Sequence, residues 1–358
     1  MQPALLLTSL LAATLIAVVE LAGATPEPGF DWRLPPGVAP PPTPADNPMS
    51  AAKVELGRRL FYDADLSVDG TMACATCHEQ HRAFTEGNRT HPGVKDSKGR
   101  RNVMALVNVG YLTPLTWARP DLLSLESQVI VPVTGDHPVE MGMAGKEQVL
   151  ADRLAANPCY RKMFAASFPA ENGRIAMTTI AKALAAFERT LLSFDSPYDR
   201  HRRGDASVFD DAATRGEALF FGDRLRCAGC HSGPNFTDGK FHNLGLDAGF
   251  ADDHGLREAT NDPADDGRFR TPSLRNVALT GPYLRDGRAS TISEAVALHF
   301  AAGDGGGPNS LRDAALPSGM LGHRDLADLV HFLDSLTDQG FVTDPRFALP
   351  KTACGENL

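Results

Sequence analysis

Two pentapeptides carry the chemistry of this chain: Cys74-Ala75-Thr76-Cys77-His78 and Cys227-Ala228-Gly229-Cys230-His231. A C-x-x-C-H motif reads as the attachment site of a c-type haem. Its two thiols add to the two vinyl groups of one haem, and the adjacent histidine sits under the iron as proximal ligand. Cys74, Cys77 and His78 are therefore expected to carry haem 1, and Cys227, Cys230 and His231 haem 2. The expected cofactors are two covalently bound haem c groups. A zinc site would need further Cys or His ligands close by in a tetrahedral set. A thioredoxin-like redox pair gives no reason for a histidine after the second cysteine, twice over.

Both motifs follow similar segments. Residues 52–62, with Gly57, Leu60 and Phe61, precede the first; residues 213–221, with Gly216, Leu219 and Phe220, precede the second. Each has helical spacing and leads into the haem turn, which makes an internal repeat. The matched glycine suits a close helix crossing. Each repeat also closes on a helical stripe: Ile180, Ala183, Leu184, Phe187 and Leu191 within 175–194, then Leu326, Leu329, Val330, Leu333 and Leu336 within 324–336. Little reads as strand. The expected fold is all-α, two cytochrome c-like haem domains related by the repeat. The N-terminal haem domain spans 49–200 and the C-terminal one 201–345, with a tail over 346–358. The polar stretch 195–210, with Pro197 and Gly204, marks the boundary.

Ahead of the domains, residues 5–19 are almost wholly apolar, and Ala22-Gly23-Ala24 forms an A-x-A cleavage signature. Residues 1–24 read as a signal peptide and the expected location is periplasmic. No Lys or Arg precedes the apolar run, so an uncleaved membrane anchor stays open. Residues 25–48 form a Pro-rich extended arm, lying on the body or serving as a tether; Trp32 within it reads as a packing anchor. The net charge of -9 argues against a nucleic-acid partner. Cys159 and Cys354 remain once the haem cysteines are assigned, and in an oxidising compartment they can pair; sequence leaves that open. The glycine-rich stretch 303–307 reads as a loop.

The run Arg270-Thr271-Pro272-Ser273-Leu274-Arg275-Asn276 through Thr280-Gly281-Pro282-Tyr283 resembles the signature of bacterial di-haem cytochrome c peroxidases and their MauG-type relatives. So does His137-Pro138-Val139-Glu140-Met141-Gly142. The resemblance covers nearly all of 47–338. Within that family, Phe30-Asp31-Trp32-Arg33-Leu34-Pro35 and Asp46-Asn47-Pro48-Met49-Ser50 most resemble the methanobactin-associated (MbnH-like) branch.

The resemblance implies roles for particular residues. Gln128 and Glu140 match the pair that stands over the open iron of haem 1. Peroxide must move a proton from its inner to its outer oxygen before the O–O bond breaks, and a carboxylate within reach can do that. The rival reading of Glu140 is a solvated loop charge, and His137 is a rival distal group. Trp117 matches a tryptophan between the haems that relays electrons. Asn108, Thr280 and Pro282 match the ligands of a calcium ion, whose preference is for oxygen donors. The sixth ligand of haem 2 follows the threonine of Thr-x-Pro by nineteen positions, a methionine in the peroxidases and a tyrosine in MauG. Here that count lands on His299, with Met320 as a distant rival. Imidazole in place of thioether lowers the reduction potential of haem 2. MauG also has a tryptophan two residues before its second haem motif; here the residue is Leu225.

These readings imply a di-haem peroxidase-type oxidoreductase. Hydrogen peroxide reacts at haem 1 and a periplasmic protein partner is oxidised through haem 2. The branch implies a copper-binding partner whose tryptophan is oxidised towards kynurenine. One alternative is a cytochrome c peroxidase drawing electrons from a small cytochrome or cupredoxin. Another is a non-enzymatic two-haem electron carrier, which would leave Gln128 and Glu140 without a task.

Overall fold

The computed structural model describes residues 29–247, 253–301, 311–317, 319 and 321–357. The signal segment, the stretch 303–307 and Met320 lie outside them. Contacts divide the chain into Met1–Asp31 and one compact unit, Trp32–Leu358. The described part is helix-rich with little strand. Its main helices are α1 Ala51–Phe61, α2 Glu147–Ala156, α3 Pro158–Ser167, α4 Met177–Glu188, α5 Asp211–Phe221, α6 Ile292–Ala301, α7 His323–Asp334 and α8 Gln339–Thr343. Among the described residues no helix is long and apolar enough to cross a membrane.

The two haem motifs each sit beside a crossed helix pair. α1 packs on α4 and α5 packs on α7. Side-chain caps start α1 and α5: Ser50 accepts from Lys53 N, and Asp210 from Ala213 N. The glycines make the crossings possible. A methyl group on Gly57 would lie 1.9 Å from Ala183 O, and one on Gly216 would lie 2.0 Å from Asp328 O. Only hydrogen fits at these distances, so the helix backbones touch.

Two apolar cores result. Leu56, Leu60, Phe61, Leu184 and Phe187 anchor the first. Phe220, Phe236, Leu329, Phe332 and Leu333 anchor the second. Fully burying one such side chain contributes about 1.5–3 kcal/mol. Residues 39–47 of the Pro-rich arm lie on the body. Arg189 Nε donates to Pro42 O at 3.2 Å, Tyr111 Oη donates to Ala39 O at 2.6 Å, and Asn47 is fully buried.

The C-terminal segment departs from the expected division at residue 345. Phe341, Val342 and Phe347 enter the first core, not the second. Asp338 caps α8 by accepting from Phe341 N at 3.1 Å. The turn of chain then lays Phe341 and Phe347 against Phe84, with ring centroids 5.6 and 6.4 Å away. Tyr62 Oη donates to Phe347 O at 2.8 Å, and Gln80 Nε2 to Asp344 O at 2.8 Å. The pairing left open by sequence is made: Cys159 and Cys354 form a disulfide that ties this strap to α3.

Candidate functional site

Each expected proximal histidine is fixed by a local hydrogen bond. His78 ends the turn Cys74–Cys77, and its Nδ1 lies 2.7 Å from Phe84 O. His231 follows Cys227–Gly229, and its Nδ1 lies 3.1 Å from Phe236 O. Phe84 and Phe236 both adopt left-handed backbone, φ 61° and 51°, at the end of the loop that turns back on the imidazole. A carbonyl only accepts, so Nδ1 carries the proton and Nε2 keeps its lone pair for a metal. Burial pushes both imidazoles down to about 4. They are therefore neutral at pH 7, as an iron ligand must be.

His299 is presented by α6 in the same way. Its Nδ1 lies 2.7 Å from Ala295 O, one helical turn back. Its ring faces His231 with centroids 6.5 Å apart and planes inclined by 58°. Two metal–imidazole bonds of about 2 Å, plus the depth of each ring, span roughly this separation. A cavity of about 250 Å³ opens here, lined by Cys227, Cys230, His231, His299, Trp117 and Leu225 among others. Two thiols and two neutral imidazoles converging on an apolar cavity fit a covalently attached, six-coordinate haem.

The His78 side differs. Its ring neighbour is Phe61, at 6.4 Å, and no second imidazole is in ring contact with it among the described residues; His91, held by Glu86, is near enough only to help lower its pKa, after burial. Burial pushes both thiols, Cys74 and Cys77, up; Glu188 adds to this at Cys74 and Glu86 at Cys77, with Glu140 a smaller contributor at each. Glu140 sits on a pinned segment: its carbonyl accepts from Val94 N at 2.8 Å, and Met141 N donates to Pro132 O at 2.9 Å. A methyl group on Gly93 would lie 1.9 Å from Val139 O, so glycine is needed for that approach. The Glu140 side chain is accessible by surface area, yet the surrounding protein strips enough water to raise its pKa, partly opposed by His91. Gln128 ends the short helix Leu125–Gln128, which leads into the helix Ile130–Thr134 that pins Met141. Its amide has no hydrogen-bond partner among the described residues. His137 points away, 91% exposed beside Asp136, and does not serve as a distal group in this arrangement.

Trp117 is tied from both sides. Its Nε1 donates to Asn102 O at 2.8 Å, and its carbonyl accepts from Arg270 N at 2.8 Å. Leu225 is 3% exposed, so no surface aromatic stands at that position.

The expected oxygen set needs a correction at Asn108. That side chain is fully buried and spent: Oδ1 accepts from Ser193 N at 2.7 Å, and Nδ2 donates to Ser193 O and Asn235 Oδ1. It does not line the cavity that Thr280 and Pro282 share. Asn102 does. Asn102 Nδ2 donates to Asn88 O and Arg89 O, which leaves Oδ1 without a donor among the described residues. The carbonyls of Thr280 and Pro282 accept no hydrogen bond there either. Three unspent oxygens on one cavity fit a hard cation.

Several groups went unread in the sequence. Glu188 is 5% exposed at the end of α4, lacks a partner for Oε2, and is pushed up to about 8 by burial. Its position after Phe187 in an apolar stripe was a signal. Glu86, 2% exposed, holds His91 at 2.6 Å. His242 is clamped between Asp238 at 2.9 Å and Asp313 at 2.5 Å. Glu86 and Asp238 lie within five residues of their histidines, whereas Asp313 comes from 71 residues away.

The geometry agrees with likeness to known proteins. The family model described as di-haem cytochrome c peroxidase matches residues 51–207. The chain is 36% identical to cytochrome-c peroxidase IdrP1 of Denitromonas iodatirespirans, over 90% of this chain and 92% of that protein. It is 37% identical to methylamine utilization protein MauG of Methylorubrum extorquens, over 82% and 81% respectively. Among solved structures, a MauG-like protein associated with microbial copper homeostasis superposes with a TM-score of 0.85 and 39% identity, covering 90% of this chain and 99% of that one. Family, relatives and fold agree: this chain belongs to the di-haem cytochrome c peroxidase and MauG family of oxidoreductases.

Proposed function

We propose that the chain is a periplasmic enzyme that reduces hydrogen peroxide at the His78 site and withdraws the electrons from a protein partner by way of the His231–His299 site. The observation that carries this reading is the asymmetry between the two sites. Two imidazoles oppose each other at 6.5 Å on one side. On the other, His78 has no imidazole in ring contact among the described residues, and burial raises the pKa of Glu140, on a segment pinned to Val94 and Pro132. A pure electron carrier would saturate both irons.

The haems, once bound through Cys74 and Cys77 and through Cys227 and Cys230, supply the electron transfer. The chain's own residues do the rest. Glu140 would accept a proton from one peroxide oxygen and return it to the other. The unpaired amide of Gln128 holds the peroxide in place. Trp117, half-buried between its two backbone anchors, provides an oxidisable ring between the sites. Asn102 Oδ1 and the carbonyls of Thr280 and Pro282 would hold a calcium ion, for which three oxygen donors on one cavity are suited. The two crossed helix pairs stand as two cytochrome c-like domains related by the internal repeat.

The solved neighbour's association with copper homeostasis favours a copper-binding partner; oxidation of a tryptophan on it towards kynurenine is what the resemblance to the MbnH-like branch implies. The likeness to IdrP1 favours the alternative, a peroxidase fed by a small cytochrome or cupredoxin. One experiment separates them. The purified holoprotein is mixed with peroxide and the copper-binding partner, and the partner is mapped by mass spectrometry. A mass gain on one tryptophan supports partner oxidation. An unmodified partner, with rapid peroxide turnover on reduced cytochrome, decides for the peroxidase.

A further inference from the structure

The guanidinium of Arg270 is a buried charge that no anion answers among the described residues. The residue is 3% exposed. Nε donates to Thr116 O at 3.2 Å, Nη1 to Thr271 O at 3.5 Å, and Nη2 reaches Met104 Sδ at 3.4 Å. All three partners are neutral. Other guanidiniums on the same cavity have carboxylates: Arg275 pairs with Asp199 at 2.8 Å and Arg285 with Asp247 at 2.9 Å. Arg226 is exposed, so water serves it.

An arginine does not shed its proton to escape burial. A charge taken out of water without a partner is strongly destabilising, so such groups are paired or bind an ion. Desolvation pulls Arg270 down to about 10, the only cause acting on it. Arg270 also lines the cavity that holds His231 and His299. Its placement is built into the backbone: Phe269–Arg270 pairs with Phe241–His242, and Arg270 N donates to Trp117 O.

We propose that Arg270 is the counter-ion for a propionate carboxylate of haem 2. A planar fork of N–H donors matches a carboxylate oxygen pair, which a point charge does not. The same residue would then join that carboxylate to the peptide of Trp117, fixing the oxidisable ring relative to haem 2. Arg270 is a positioning residue and takes no part in bond making. The inference rests on the reading that this cavity holds a haem.

The test uses the holoprotein, wild type against Arg270→Gln and Arg270→Lys. Haem content by mass checks the underlying reading separately: a wild-type protein with one haem defeats that reading, whatever Arg270 does. With both haems present, Arg270→Gln is expected to lower the reduction potential of the low-spin haem, because a nearby cation favours the reduced form. Its propionate-bending resonance Raman band should move to lower frequency, because a hydrogen bond to the carboxylate is lost. Arg270→Lys keeps the charge without the fork, so the potential should recover more fully than the band. An unchanged potential and band in Arg270→Gln overturns the assignment. So does a change confined to the high-spin haem. Should Arg270→Gln fail to fold, the band in Arg270→Lys decides alone.

Discussion

The ring of Phe84 lies 5.6 Å from that of Phe341, and the carbonyl of Phe84 is the partner of His78 Nδ1 at 2.7 Å. The proposed proximal ligand of the first site is thus held by a residue that the C-terminal strap packs upon. The strap is closed by Cys159 and Cys354, 195 residues apart in sequence.

Cutting that closure should cost stability. Removing a native disulfide typically costs about 2–5 kcal/mol. Cys354→Ser is expected to melt several degrees below wild type while retaining both haems. Calorimetry of the oxidised proteins checks this, and equal melting temperatures would count against a strap that contributes to folding.

His299→Ala should abolish the low-spin ferric species. Low-temperature paramagnetic resonance of the wild type is expected to show one low-spin and one high-spin haem. The variant should show high-spin haem only, and added imidazole should restore the low-spin signal by entering the space left behind. Persistence of the wild-type low-spin signal in the variant would falsify ligation by His299.

Glu140→Gln should retain both haems and react with peroxide more slowly. Losing a positioned acid/base group costs on the order of 10²–10⁴ in rate. The pH profile has a definite sign. Burial raises Glu140, so its proton-accepting form accumulates only above the ordinary carboxylate range. The wild-type rate should climb with pH through that raised value, and the variant should lack the climb. Stopped-flow absorption reads both; identical kinetics in the two proteins would remove Glu140 from proton transfer.

Trp117→Phe should still consume the first equivalent of peroxide but fail to share the oxidising charge between the sites. Phenylalanine fills similar volume, and its ring is much harder to oxidise. The Nε1 bond to Asn102 O is also lost. The near-infrared charge-resonance absorption that follows peroxide reports the sharing. An undiminished band in the variant places the relay elsewhere.

The sequence by itself determined what is local. Cys74 to His78 and Cys227 to His231 each complete their motif within five residues, so the expectation of haem attachment needs no fold. The apolar stripes of α4 and α7, and the glycines at their crossings, follow from helical period and from the absence of a side chain. The count from Thr280 to His299 runs along one continuous segment that includes α6, and the fold sets His299 opposite His231.

Tertiary structure decided whatever depends on where distant segments meet. Asn108 and Asn102 are equally good oxygen donors on paper. Only the fold spends the Asn108 amide on Ser193 and Asn235 and leaves Asn102 Oδ1 on the cavity. Cys159 and Cys354 pair because the strap returns to the first core, and Phe341 and Phe347 find Phe84 there by aromatic packing. That no carboxylate meets Arg270 among the described residues is likewise invisible in a linear reading: an arginine shows its charge in sequence, but its partners depend on every segment that surrounds it. Through-space pairing is set by the path of the whole chain, and no motif of a few residues encodes that path.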